Sequence, residues 1–160
     1  MAESHWYDEI VMPALIADAR RTYGLAIRRS FRENGFDDMP RRGAAVVGGI
    51  ANNGAAPQQD FARFLGISKQ TASQLLDNLV GLGYVERTPD ADDRRRVLIT
   101  LTDRGRAAAK ASRSAVQLVD RALARRVSAD DVAATRRVLG SLINIADEAR
   151  ERRRASDDNP

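Results

Sequence analysis

QQDFARFLGISKQTASQLLDNLVGLGYVER, residues Gln58–Arg87, is the stretch on which the fold turns. It holds two short helical patterns, Gln58–Leu65 and Ser68–Leu82, with a very short break between them. A helix-turn-helix needs a small residue where its helices touch, a glycine or similar at the turn, and apolar residues joining the helices. Ala62 supplies the contact, Gly66 the turn, and Ile67, Ala72, Leu75 and Leu76 the apolar seam. Ser68 is placed to cap the second helix by accepting a hydrogen bond from a free first-turn N–H. That helix is two-sided. Ala72, Leu75, Leu76, Leu79 and Val80 form its inner face, and Gln70, Ser73, Gln74 and Asp77 the opposite one, with Lys69, Thr71 and Asn78 at the margins. Amides and hydroxyls pair with base edges, so the outer face suits a DNA major groove. A plain solvated face has the same composition, and this face alone leaves both readings open.

Downstream, Tyr84–Arg87 and Arg96–Leu101 read as strands. In the second, Val97, Ile99 and Leu101 alternate with Arg96, Leu98 and Thr100, the period of a half-buried strand. Thr88–Arg95 between them is a polar loop, and it leads into the run Arg94-Arg95-Arg96. A loop projecting beside a recognition helix reaches the neighbouring minor groove, whose negative potential favours a guanidinium. The competing reading is that Asp90, Asp92 and Asp93 neutralise these arginines in solvent.

Upstream, a long helix is expected over about Pro13–Asn34, with Pro13 in its first turn and Gly35 as its stop. Trp6, Tyr7, Ile10 and Val11 suggest a shorter amphipathic helix or arm before it. A second helix spans about Pro40–Asn52, weakened by Gly48-Gly49 and ended by Asn52-Asn53-Gly54. Beyond the strands, Thr102 and Ser128 read as N-caps of two long helices, Ser128 with Asp131 three residues on. Stripes run through both: Ala108, Ala111, Ala115, Leu118 and Ala122 in one, and Val132, Thr135, Val138, Leu139, Leu142, Ile145, Ala146 and Ala149 in the other. The expected fold is mainly α with a small β-hairpin. A winged helix-turn-helix lobe (40–101) is flanked by N-terminal (1–39) and C-terminal (102–150) dimerisation helices, and a disordered tail (151–160) follows.

Composition narrows the function. Lys+Arg exceeds Asp+Glu by 26 − 22 = 4, a mild excess compatible with an acidic partner. With no cysteine in the chain, disulfides, thiolate metal sites and thiol nucleophiles are excluded. Apolar runs fall far short of a membrane span, and the N-terminus lacks a signal-peptide layout, so a cytoplasmic protein is expected. An enzyme is not: His5 is the only histidine and has no motif around it, and no phosphate loop, HExxH or nucleophile elbow occurs. No cofactor or metal site is expected.

Gly66-Ile67-Ser68, Thr71, Leu75, Leu79, Gly83, Val85 and Arg87, followed by Asp93-Arg94-Arg95-Arg96, Leu98, Leu101-Thr102 and Gly105, resemble the MarR (multiple antibiotic resistance regulator) family. The resemblance is close over Gln58–Gly105. It implies a homodimer with intertwined terminal helices, whose two winged lobes grip a pseudo-palindromic operator in double-stranded DNA. It makes Arg95 the minor-groove arginine, Asp93 the group holding the wing loop, and Asp77 a group orienting an arginine. Ser68, Lys69, Gln70, Thr71, Ser73, Gln74 and Asn78 would face bases or phosphates, with Arg94 and Arg96 beside Arg95. Gln74 and Asn78 stand where members often carry basic residues, and Pro57 where the first helix usually starts with Ser or Thr. The resemblance further implies a repressor released by a small aromatic or phenolic molecule, for which Trp6, Tyr23, Phe31 and Phe36 are candidate lining residues. Aromatics at helical spacing are also what a plain core contains. A ligand-independent or architectural DNA-binding protein of the same fold is the alternative function.

Overall fold

The computed structural model describes residues 5–91, 93 and 96–157, with side chains through 152. The elements run α1 (Met12–Glu33), α2 (Gly43–Asn53), β1 (Ala56–Pro57), α3 (Asp60–Leu65), α4 (Lys69–Gly81), β2 (Val85–Pro89), β3 (Val97–Leu101), α5 (Asp103–Leu123) and α6 (Ala129–Asp157). Packing divides the chain into two compact units, Met1–Val119 and Asp120–Pro160, with the boundary inside α5.

The sheet has three antiparallel strands in the order β1-β3-β2, where the sequence suggested two. β2 pairs with β3 from Val85↔Leu101 to Pro89↔Val97, and β1 adds Ala56↔Ile99 and Pro57↔Leu98. Two residues are too few to show a period, which is why β1 escapes a pattern search. Pro57 is therefore not at the start of the first helix of the motif. It lies on a sheet edge, where its missing N–H costs no ladder bond, and α3 begins only at Asp60. The strand alternation also holds only in part. Ile99 and Leu101 are buried but Val97 is 41% exposed, because that end of β3 extends beyond the core with the hairpin. β2 runs on through Thr88 and Pro89, which shortens the loop expected there. Before α1, Trp6–Glu9 forms turns rather than a helix.

The first unit's core joins Val46, Val47 and Ile50 of α2 to Phe61, Leu76, Leu79, Ile99, Leu101 and Ala108. α2 forms despite its paired glycines because three of its side chains are anchored in that core. Gly49 has a packing reason: a Cβ there would lie 2.9 Å from the Phe64 ring. Both predicted caps are present. The Gly105 N–H donates to Thr102 Oγ1 at 3.0 Å, and Ser128 and Asp131 exchange backbone-to-side-chain bonds of 3.1 Å in each direction.

One tie across the lobe gave no local signal in the sequence. The Tyr84 hydroxyl donates to Asp38 at 2.5 Å, and Arg104 donates to both Asp38 oxygens at 2.9 Å while lying 4.3 Å over the Tyr84 ring. The Tyr84 hydrogen bond holds the Asp38 carboxyl below its ordinary range. Partial desolvation opposes it, and Arg104 reinforces it. A depressed carboxyl contributes stability that is present above its unfolded pKa of about 4 and lost as pH falls through the folded value. Asp38→Asn is thus expected to lower the urea midpoint clearly at pH 7 and much less at pH 3. Equal losses at the two pH values would mean that the ionised carboxylate is not what stabilises the tie.

Candidate nucleic-acid interface

α4 is positioned from both ends. At its start the Thr71 N–H donates to Ser68 Oγ at 3.1 Å, and the two hydroxyls lie 2.8 Å apart. Ser68, a candidate contact, is thereby engaged as the helix cap. Along the helix Ala72, Leu76 and Leu79 are buried, and Leu75 and Val80 half-buried. That leaves Lys69, Gln70, Thr71, Gln74, Asp77 and Asn78 exposed on one surface, with Ser73 half-sheltered beside them.

Asp77 accepts from Arg87 of β2, whose Nη2 donates to it at 2.5 Å. Arg87 Nε donates to Gln58 at 3.0 Å, so one guanidinium joins α4, the strand below the wing and the link from β1 to α3. Sequence reasoning missed Gln58, because its partner is 29 positions away.

The wing loop closes through its backbone. The Asp90 N–H donates to the Arg96 carbonyl at 3.1 Å, and the Arg96 N–H to the Asp93 carbonyl at 2.8 Å. Asp93 thus meets Arg96 across the loop through its main-chain carbonyl. Arg96 also lies 3.8 Å from the Asp90 carboxylate, whose side chain is only 13% exposed, a pairing of the kind that the neutralising reading of the wing expects. Arg94 and Arg95 lie outside the described residues. A cleft of about 340 Å³ is lined by Pro57, Ala62, Lys69, Ser73 and Arg96.

The root of the wing explains two residues of the sequence signature. Thr102 Oγ1 donates toward the Gly83 and Tyr84 carbonyls, at 2.5 and 3.1 Å, while capping α5. Gly105 leaves room for the Tyr84 carbonyl, which a Cβ would meet at 1.9 Å.

The four candidate ligand residues do not form one lining. Phe31 is buried and meets Phe36 edge-on at 6.1 Å, and Phe36 meets Tyr84 in the same way, so this pair belongs to the packing of the lobe. Trp6 is 78% exposed and sits edge-on to Tyr7, while Tyr23 is half-buried on α1. None of the four lines the interface cleft, the cleft beside α2, β3 and α5, or the cleft between α2 and α3.

A sequence profile described as MarR family matches residues 37–96, the span from the Asp38 tie through the wing. Over that span the lobe is similar to the MarR family. The architecture of the chain matches solved structures over most of its length. The reduced form of MarR from E. coli is 25% identical, with 83% of this chain and 96% of that one covered and a TM-score of 0.64. A mutant of MepR from S. aureus is 21% identical, covering 86% and 99%, at a TM-score of 0.69. A mutant MarR from E. coli complexed with operator DNA is 24% identical, covering 87% and 99%, at 0.66. No curated protein sequence matches the chain.

Proposed function

We propose that this chain is a sequence-specific transcriptional regulator that binds duplex DNA as a homodimer. The observation that carries the reading is the exposed polar surface of α4, set beside a hairpin by the Arg87–Asp77–Gln58 linkage. Amides and hydroxyls on such a helix can read major-groove edges, while arginines on the hairpin meet the minor groove or phosphates. The operator complex of the E. coli MarR mutant, a chain of the same fold, supports the same assignment. In this reading Lys69, Gln70, Thr71, Ser73, Gln74 and Asn78 face DNA, Ser68 caps their helix, and Arg94, Arg95 and Arg96 supply the wing's charge. Asp77 and Asp93 position. Residues 1–39 and 102–150 form the dimer body, and the protein acts in the cytoplasm as a repressor released by a small molecule.

The deciding experiment is selection of bound sequences from random DNA, followed by footprinting. The expected product is a pseudo-palindrome with half-sites about one helical turn, roughly 34 Å, apart. Sequence-indifferent coverage would instead make the protein architectural. On the selected operator, Gln74→Ala is expected to relax preference at one position per half-site by about 1–3 kcal/mol. A uniform loss over all sequences would make Gln74 a backbone contact, and no loss would place it on a solvated face.

A further inference from the structure

Three amides stand in a row on the outer face of α4. Gln70, Gln74 and Asn78 follow i, i+4, i+8 spacing, each one turn beyond the last, and all three are exposed. The polar groups around them are already engaged. The Ser68 and Thr71 hydroxyls lie 2.8 Å apart at the helix cap, and the Asp77 carboxylate accepts from Arg87. Among the described residues, by contrast, none of the three amide side chains has a hydrogen-bond partner. The surface also carries little charge. α4 contains no arginine, its one lysine is Lys69 at the first position, and its one carboxylate is that of Asp77. The Arg87 guanidinium beside it is spent on Asp77 and Gln58.

We propose that Gln70 and Gln74 each read an adenine, so that the major-groove core of every half-site is built on A·T pairs. The assignment rests on the regulator reading and adds the identity of the bases to it. An amide presents one acceptor beside one donor, and adenine answers with a donor beside an acceptor, its N6 amino group and N7. Guanine offers two acceptors, which call for the fork of an arginine or a lysine, and cytosine offers a donor, which calls for a free carboxylate. Beyond Lys69, α4 has neither to spare. The first turns of a recognition helix are the ones that meet base edges, which selects Gln70 and Gln74 over Asn78. Four helical residues rise about 6 Å, against about 3.4 Å per base pair, so the two adenines stand about two base pairs apart. Both readers are neutral, so neither contact adds to the salt dependence of binding, which counts charges.

The test titrates the full-length protein onto the operator obtained by selection, with single base pairs altered in both half-sites. Replacing A·T by G·C should cost about 5- to 150-fold at two positions, the range of one bidentate contact. At the same two positions 7-deazaadenine, which keeps Watson–Crick pairing and lacks only the N7 acceptor, should cost about 2- to 12-fold, the scale of one neutral hydrogen bond. Gln70→Ala should make one of these adenines indifferent to loss of N7, and Gln74→Ala the other, each with the salt slope of wild type. Selected half-sites with G·C at the positions that these glutamines control overturn the proposal while leaving a sequence-specific regulator in place. So do adenines that tolerate 7-deazaadenine in the wild type, or a sensitivity to it that persists in both variants. Sequence-indifferent binding in the selection overturns the regulator reading itself, and the proposal with it.

Discussion

Gly105→Ala is expected to destabilise the lobe by about 3 kcal/mol, the upper end for an overpacked site that forces backbone to move. Helix propensity alone gives the opposite sign, since alanine is favoured over glycine by about 1 kcal/mol in a helix. The geometry decides the matter. The added Cβ would sit 1.9 Å from the Tyr84 carbonyl oxygen and 3.1 Å from Leu101 Cδ2. A flexible side-chain tip can swing away, but this oxygen is main chain. It accepts from the Thr102 N–H at 3.2 Å and from the Thr102 hydroxyl at 3.1 Å. Moving it strains the start of β2 and the cap of α5 together. Three kcal/mol is a large share of the roughly 5–15 kcal/mol by which domains are stable. Urea unfolding checks the effect against Gly48→Ala, where nothing lies within 4 Å of the added Cβ and the helix preference should show as a small gain. A Gly105→Ala midpoint at or above wild type would mean that α5 slides away from the strand at little cost.

The two glycines also show which parts of this chain were legible in its sequence. The helix-turn-helix was, because its information is local: Ala72, Leu76 and Leu79 recur at helical spacing, and Ser68 is one turn from the N–H that it caps. Ser128 with Asp131 was legible for the same reason. That Gly105 belongs to a recognisable motif could be read, but not why, since its reason is a carbonyl 21 positions earlier in the chain. The Asp38–Tyr84–Arg104 tie spans 46 and 66 positions, and nothing around Asp38 marks it as more than a turn residue. β1 has no period to detect. At the interface, the polar surface of α4 follows from helical geometry. The partners that fix it, Arg87 with Gln58 and Arg96 with Asp90, depend on strand register, which a loop of uncertain length leaves open. Phe31 and Phe36 illustrate the converse: their helical spacing and aromatic character fit a ligand wall and a core equally, and only burial separates the two.

Replacing Leu142 and Ile145 together by aspartate is expected to convert a dimer to a monomer and to weaken binding to a full operator by about 10²–10⁴, the advantage of two linked sites over one. α6 has 29 residues, so it extends about 44 Å at 1.5 Å per residue. Its Val138, Leu142 and Ile145 follow i, i+4, i+7 spacing with Ala149 completing the stripe, yet in the single chain they remain 49%, 42% and 62% exposed. Full burial of one such side chain is worth about 1.5–3 kcal/mol. A second copy, presenting the same stripe across a two-fold axis, would bury these side chains in both copies at once. Aspartate on this face would place charges at the centre of that contact. On an exposed helix it lowers propensity by only about 0.7 kcal/mol or less per site, so the fold should survive. Asn144→Asp is the control, being exposed and well off the stripe. Sedimentation at micromolar concentration should give the double variant the mass of one chain, and wild type and the control that of two. Operator titration should then show the double variant occupying half-sites one at a time. A double variant that still sediments as a dimer, or a wild type that does not, would remove α6 from the interface and leave its exposed stripe to another partner.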